Sequence, residues 1–124
     1  MQLFEAASFS IPGHAAGVYI AHPTSVELKS TCRYRTRTLV NHEHTKVGIT
    51  QNFVLRENEY MNHFQCYVAF FPILQLHENM LQFEARLLTE LCRRYPRSGT
   101  ASEWFRTTER QQIADIVWEL ARSQ

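Results

Sequence analysis

The chain has 124 residues, with 13 Lys and Arg against 12 Asp and Glu and a formal net charge of +1. That length suits one domain with a modest core that needs no metal or disulfide framework, and the near-neutral balance excludes a general attraction to DNA or to an acidic membrane surface, so any basic contact must be local. Three cysteines, Cys32, Cys66 and Cys92, lie far apart without Cys-x-x-Cys spacing, which argues against a secreted disulfide scaffold and a zinc ribbon and for a reducing compartment.

The first residues, Met1 to Ala7, lack a basic n-region and meet Glu5 too early for a secretory signal. The most apolar stretch, Cys66 to Leu76, is interrupted by Pro72 and falls short of a membrane span, so a soluble intracellular protein with no membrane partner is expected. Residues 1–16, with Ser8, Ser10, Pro12 and Gly13, read as an irregular lead-in. Val18 to His22 is a short strand stopped by Pro23. From Val26 to Val40 the residues alternate, placing Lys29, Arg33, Arg35 and Arg37 on one side as a basic stripe. Fifteen residues exceed a usual strand, so a bend is expected near Ser30 and Thr31.

A second alternation, Val47, Ile49, Gln51, Phe53 and Leu55, predicts another strand after the polar link Asn41 to Thr45. Phe64 to Phe71 is almost wholly apolar and fits a central strand covered on both faces, although pattern alone does not exclude a buried helix. Two helices follow. The first opens near Glu78, carries Met80, Phe83, Leu87, Leu88, Leu91 and Tyr95 at helical spacing, and ends at Pro96. The second opens at Thr108, with Gln111 completing a capping box, and buries Ile113, Ile116, Val117 and Leu120. Trp104 and Phe105 are anchors for the loop between them. The whole is a single α+β domain, residues 1–124: strand-rich over 17–71 in a small, mostly antiparallel sheet, with two amphipathic helices over 78–122.

No Gly-rich phosphate loop, Walker sequence or nucleophile elbow is present, so the sequence predicts no enzyme and no cofactor. His42 and His44, at i and i+2, would face the same way on a strand and form a metal pair only with a third ligand such as His22 or His63; polar surface residues are the favoured reading. The cysteines are read as core or half-buried residues rather than nucleophiles. Lys29, Arg33, Arg35 and Arg37 are candidate phosphate contacts, with Tyr34 as a stacking platform; the favoured reading of so small a cationic stripe is a solvated sheet face. Phe64, Tyr67, Phe70 and Phe71 are candidates for self-association and partner binding as well as for the core.

The order Pro12, then Gly17-Val18-Tyr19-Ile20, then Thr36-Arg37-Thr38 with Val40 and His42, then Asn62-His63-Phe64-Gln65-Cys66-Tyr67 resembles the replication enhancer (REn) proteins of geminiviruses. The likeness covers roughly half of the chain, from Pro12 to about Tyr67, and beyond it thins to an apolar pattern through Met80, Phe83 and Leu91. Where that family continues with Trp after Gly-Val-Tyr-Ile, this chain has Ala21-His22-Pro23, and an amphipathic helix stands in place of the family's aromatic, basic tail. The resemblance implies a non-enzymatic accessory protein of the host nucleus that raises viral DNA accumulation. It implies homo-oligomerisation and binding to the viral replication initiator Rep, the host sliding clamp (proliferating-cell nuclear antigen), a retinoblastoma-related protein and a NAC-type transcription factor. The family's hydrophobic middle region, tied to oligomerisation and to Rep and clamp binding, maps onto Phe64 to Phe71. Two other readings stand beside it: a basic-faced single-stranded nucleic-acid-binding module, and a small bacterial or phage regulator that inhibits a partner.

Overall fold

A computed structural model describes residues 1–30, 39–64, 66–97 and 104–123. Gly17 to Ala21 are all buried, and the reason is that their strand, β1 (Gly17–Pro23), lies inside a sheet covered on both faces. It pairs antiparallel with β4 (Thr45–Thr50) on one side and β5 (Val68–Gln75) on the other. A short β6 (Trp104–Phe105) extends β4, giving the order β5-β1-β4-β6. The α+β expectation holds, but the sheet draws strands from both halves of the chain, and β5 is an edge strand rather than a central one.

Pro72 sits within β5 without breaking it. Proline gives no N–H to a ladder and is confined to edges and bulges, and β5 supplies both: it is an edge, and its register against β1 shifts between Val18 and Tyr19, leaving Ile73 as the extra residue. The indole Nε1 of Trp118 donates to the Ile73 carbonyl at 2.7 Å, tying the bulge to the last helix, α4 (Arg110–Arg122). Trp118→Phe removes that donor while keeping an aromatic ring. Its expected cost is about 1–2 kcal/mol, read by urea unfolding; an unchanged midpoint would show that the bulge does not depend on the bond.

One face of the sheet packs against α1 (Leu3–Ser8), α3 (Met80–Arg94) and α4, burying Phe4, Val18, Ile20, Val47, Phe83, Leu87, Leu91, Phe105 and Ile113. The other face packs against α2 (Phe53–His63) through Ala15, Tyr19, Ala21, Phe53, Val68 and Phe70. Two elements therefore depart from the sequence reading. The lead-in contains helix α1, whose Phe4 inserts into the core and meets Phe71 edge-on with ring centroids 5.2 Å apart. The alternation through Phe53 and Leu55 is not a strand: the Asn52 side chain accepts from the Leu55 N–H at 3.1 Å and starts α2, which leaves Leu55 exposed.

The stretch 26–40 is also not one strand. Its ends form β2 (Lys29–Ser30) and β3 (Leu39–Val40), which pair antiparallel with Lys29 opposite Val40. Helix α3 begins at Met80 after Asn79, which adopts a left-handed conformation, so Glu78 lies outside it. At α4 the capping box is absent. Thr107, not Thr108, supplies an oxygen, to the Glu109 N–H at 3.0 Å, and Gln111 instead accepts from the Phe4 N–H at 2.9 Å, joining α4 to α1. Among the described residues no helix is long and apolar enough to cross a membrane.

Candidate functional site

The four aromatic residues read as a contact segment do not form one surface. Phe70 is 9 % exposed and stacks on Tyr19 with ring centroids 4.7 Å apart, on the α2 side. Phe71 points to the opposite face, between Phe4 and His22. Phe64, half-buried just past α2, lies against Tyr60 and Trp104. Tyr67 alone is open, at 66 % exposure, with its carbonyl accepting from the N–H and the hydroxyl of Thr24.

Of the basic stripe, Lys29 is half-buried and ion-paired to Glu27 at 3.4 Å; Arg33, Arg35 and Arg37, with Cys32, lie outside the described residues. His42 and His44 occupy a turn before β4 rather than a strand. The His44 ring is buried and its Nδ1 accepts from the Asn41 N–H at 3.2 Å, while His42 is exposed. No cluster of three metal-ligating side chains occurs among the described residues. Cys66 is half-buried and Cys92 exposed.

The polar cluster that the fold does assemble lies where β1 meets α2. Tyr19 is fully buried, yet it carries a hydroxyl, and a buried hydroxyl without a partner is costly. Its oxygen is 2.9 Å from the Tyr60 hydroxyl, the two rings meeting edge-on at 6.0 Å. Tyr19 faces Gly48 across the β1–β4 ladder. A Cβ on Gly48 would stand 2.7 Å from the Tyr19 hydroxyl oxygen, so glycine is what leaves the phenol its room. Relieving the chain entropy of Gly48 by Gly48→Ala gains at most about 1 kcal/mol, whereas crowding a packed aromatic costs about 1–3 kcal/mol. A net loss of stability is expected in chemical denaturation, and a gain would mean that the Tyr19 ring has slack.

Arg56 precedes Tyr60 by one helical turn, so both side chains share one face of α2. Burial pulls the guanidinium down, but the charges of Tyr19, Glu59 and Tyr60 and a hydrogen bond to Tyr19 outweigh it, and the group is held above its ordinary value. Its Nε is shut off from water and has no hydrogen-bond partner; the nearest carboxylate, Glu59, is 3.5 Å away. The side chain as a whole is still 37 % exposed. Tyr19 is thus the buried member of the cluster, and Arg56 and Tyr60 are its half-buried members. Lys46, two residues before Gly48 on β4, projects on the same side of the sheet and lies opposite Trp104, with Phe64 close to that indole.

A second half-buried cation, Arg110, has a different character. Its Nε donates to Thr45 Oγ1 at 3.0 Å, and its Nη2 donates to the carbonyls of His42 at 2.7 Å and His44 at 3.2 Å. These bonds tie α4 to the turn before β4, a structural role. Burial and then Arg110 hold His22 below its ordinary 6.5; burial and then Arg106 do the same to His44. Because the unfolded chain binds these protons more readily than the folded one, stability is fully present above 6.5 and falls as pH drops below it. Unfolding compared at about pH 7.5 and about pH 5.5 is expected to show this loss, and the double variant His22→Gln with His44→Gln is expected to reduce it. An equal loss in the double variant would assign the effect to carboxylates.

No protein-family model, curated protein or solved structure matches the chain.

Sequence reasoning missed Arg56 and Tyr60 because it placed Phe53 and Leu55 on a strand. The signal that could have found them is Asn52 as a helix cap, which sets Arg56 and Tyr60 at i and i+4.

Proposed function

We propose that the chain binds single-stranded nucleic acid, taking a backbone phosphate at Arg56 and Tyr60 over the buried Tyr19. The observation that carries this reading is the Arg56 Nε, desolvated and without a hydrogen-bond partner, beside a pair of directly bonded phenols. A guanidinium is the side chain best matched to phosphate oxygens. The Tyr60 hydroxyl, on the same face of α2, can donate a further hydrogen bond to the phosphate.

Lys46 and the half-buried Phe64 on the same side of the sheet favour nucleic acid over a free phosphate, since alternating cations and aromatic rings suit a backbone and its bases. This reading keeps the nucleic-acid alternative of the sequence and adds the α2 face to it; Arg33, Arg35 and Arg37 lie outside the described residues. Anisotropy of a labelled single-stranded oligonucleotide at rising salt tests it. Salt-sensitive binding, reduced in Tyr60→Phe, is expected; no binding by a folded protein would overturn it.

The motif order that resembles replication enhancers supports a second reading: a nuclear accessory protein that self-associates and binds Rep, the sliding clamp, the retinoblastoma-related protein and the NAC-type factor. The exposed ring of Tyr67, with Val26, Leu28 and Leu39 also exposed, is the observation that favours it. Phe70 and Phe71, set into opposite sheet faces, would serve this role only through the fold. Light scattering of the chain and of Tyr67→Ala tests it; a monomer in both cases would remove self-association.

A further inference from the structure

We infer that Glu59 is an internal competitor for Arg56, holding the guanidinium while the site is empty and lowering its affinity for an incoming phosphate; this rests on the phosphate reading above. Glu59 lies three residues after Arg56 on α2, and its carboxylate oxygen is 3.5 Å from the Arg56 Nε. That separation is an ion pair but a poor hydrogen bond, since charge-assisted N–H···O bonds close to about 2.7–2.9 Å. The Nε accordingly counts as buried and unpaired even with the carboxylate beside it. Because the Nε is closed to solvent, a phosphate oxygen reaches it only by taking the place of the Glu59 carboxylate, and there it would complete the bond that Glu59 leaves incomplete.

Two features make Glu59 displaceable rather than structural. Its side chain is 50 % exposed, so the carboxylate can turn into water when a phosphate arrives. The Tyr19 and Tyr60 hydroxyls bond to each other at 2.9 Å, and that bond does not run through Glu59. Glu59 would then keep weak anions off the guanidinium, and only a ligand with further contacts, such as a nucleic-acid strand that also reaches Lys46, would gain enough to displace it. The geometry makes Glu59 a determinant of selectivity, not a contact to the ligand.

The test uses Glu59→Gln, which keeps size and helix propensity and is not expected to unfold the chain, with a labelled single-stranded DNA oligonucleotide as probe. Affinity should rise by about two- to fivefold, the size of a half-exposed ion pair. Glu57→Gln removes the same charge two residues earlier on α2, directly after Arg56 where the two side chains do not face each other, and should give a smaller gain. In an Arg56→Gln background, Glu59→Gln should change nothing, because its effect runs through the guanidinium. An equal gain in that background, or no gain in the wild-type background while Arg56→Gln still abolishes binding, overturns the inference and leaves the phosphate reading standing. If Arg56→Gln itself binds like wild type, the reading and the inference fall together.

Discussion

Arg56→Gln is expected to weaken single-stranded nucleic-acid binding by about ten- to hundredfold, the size of a lost charge-assisted hydrogen-bond set. The fold should survive, because the side chain is partly exposed and Tyr19 and Tyr60 retain each other as partners. Arg56→Lys sharpens the test. Lysine restores the charge but not the planar fork, so it should recover only part of the affinity if the phosphate is held by geometry. Full recovery would reduce Arg56 to a general positive charge. Circular dichroism on both variants separates a local effect from unfolding, and salt titration should show a shallower slope for Arg56→Gln than for wild type.

Gly17→Ala is expected to cost about 3 kcal/mol and to lower the melting temperature by on the order of 10 °C. Gly17 opens β1 with φ +157°, and a Cβ there would collide with the Leu74 carbonyl oxygen. The obstacle is backbone, not the end of a flexible side chain, so either β1 or β5 must move. They meet here just beside the bulge that leaves Ile73 unpaired, and Val18 and Leu74 next to it pack against the same core. Calorimetry would read the loss directly. A melting temperature within about 2 °C of wild type would show that the strands part at Gly17 at little cost.

The parts of the fold that were legible in the sequence are those in which a single local pattern decides the outcome. Phe83, Leu87 and Leu91 recur at four-residue steps and form the buried stripe of α3; Ile113, Ile116 and Val117 do the same for α4. The run from Val18 to Ala21, apolar apart from a phenol, became a strand buried on both faces. The parts misread are those in which tertiary packing or one capping residue overrides the pattern. Phe53 and Leu55 continue the alternation of β4, but Asn52 caps a helix there and Phe53 turns into the Tyr19 cluster. Helix α1 is six residues long, too short for periodicity to reveal, and is held by Phe4 and by its N–H bond to Gln111, a residue 107 positions away.

The candidate site was less legible still. Gly17-Val18-Tyr19-Ile20 stood out as a motif, yet nothing local says that Tyr19 bonds Tyr60 or that Gly48 makes room for it. Those facts depend on the β1–β4 register and on the face that α2 presents to the sheet. The candidates the sequence preferred, Phe64, Tyr67, Phe70 and Phe71, were chosen as one stretch of chain, and alternation along β5 together with the turn before it sends them in different directions.

The measurement that tests the central claim most directly is a titration of a single-stranded oligonucleotide into the nitrogen-15-labelled protein, following the Arg56 Nε–Hε resonance together with the backbone amides. Capture of a phosphate by the desolvated Nε predicts a large downfield movement of that side-chain signal, with amide shifts confined to α2, to β1 around Tyr19 and to β4 around Lys46 and Gly48. An unmoved Arg56 signal, with shifts gathered at α1 and α4 or absent altogether, would contradict it.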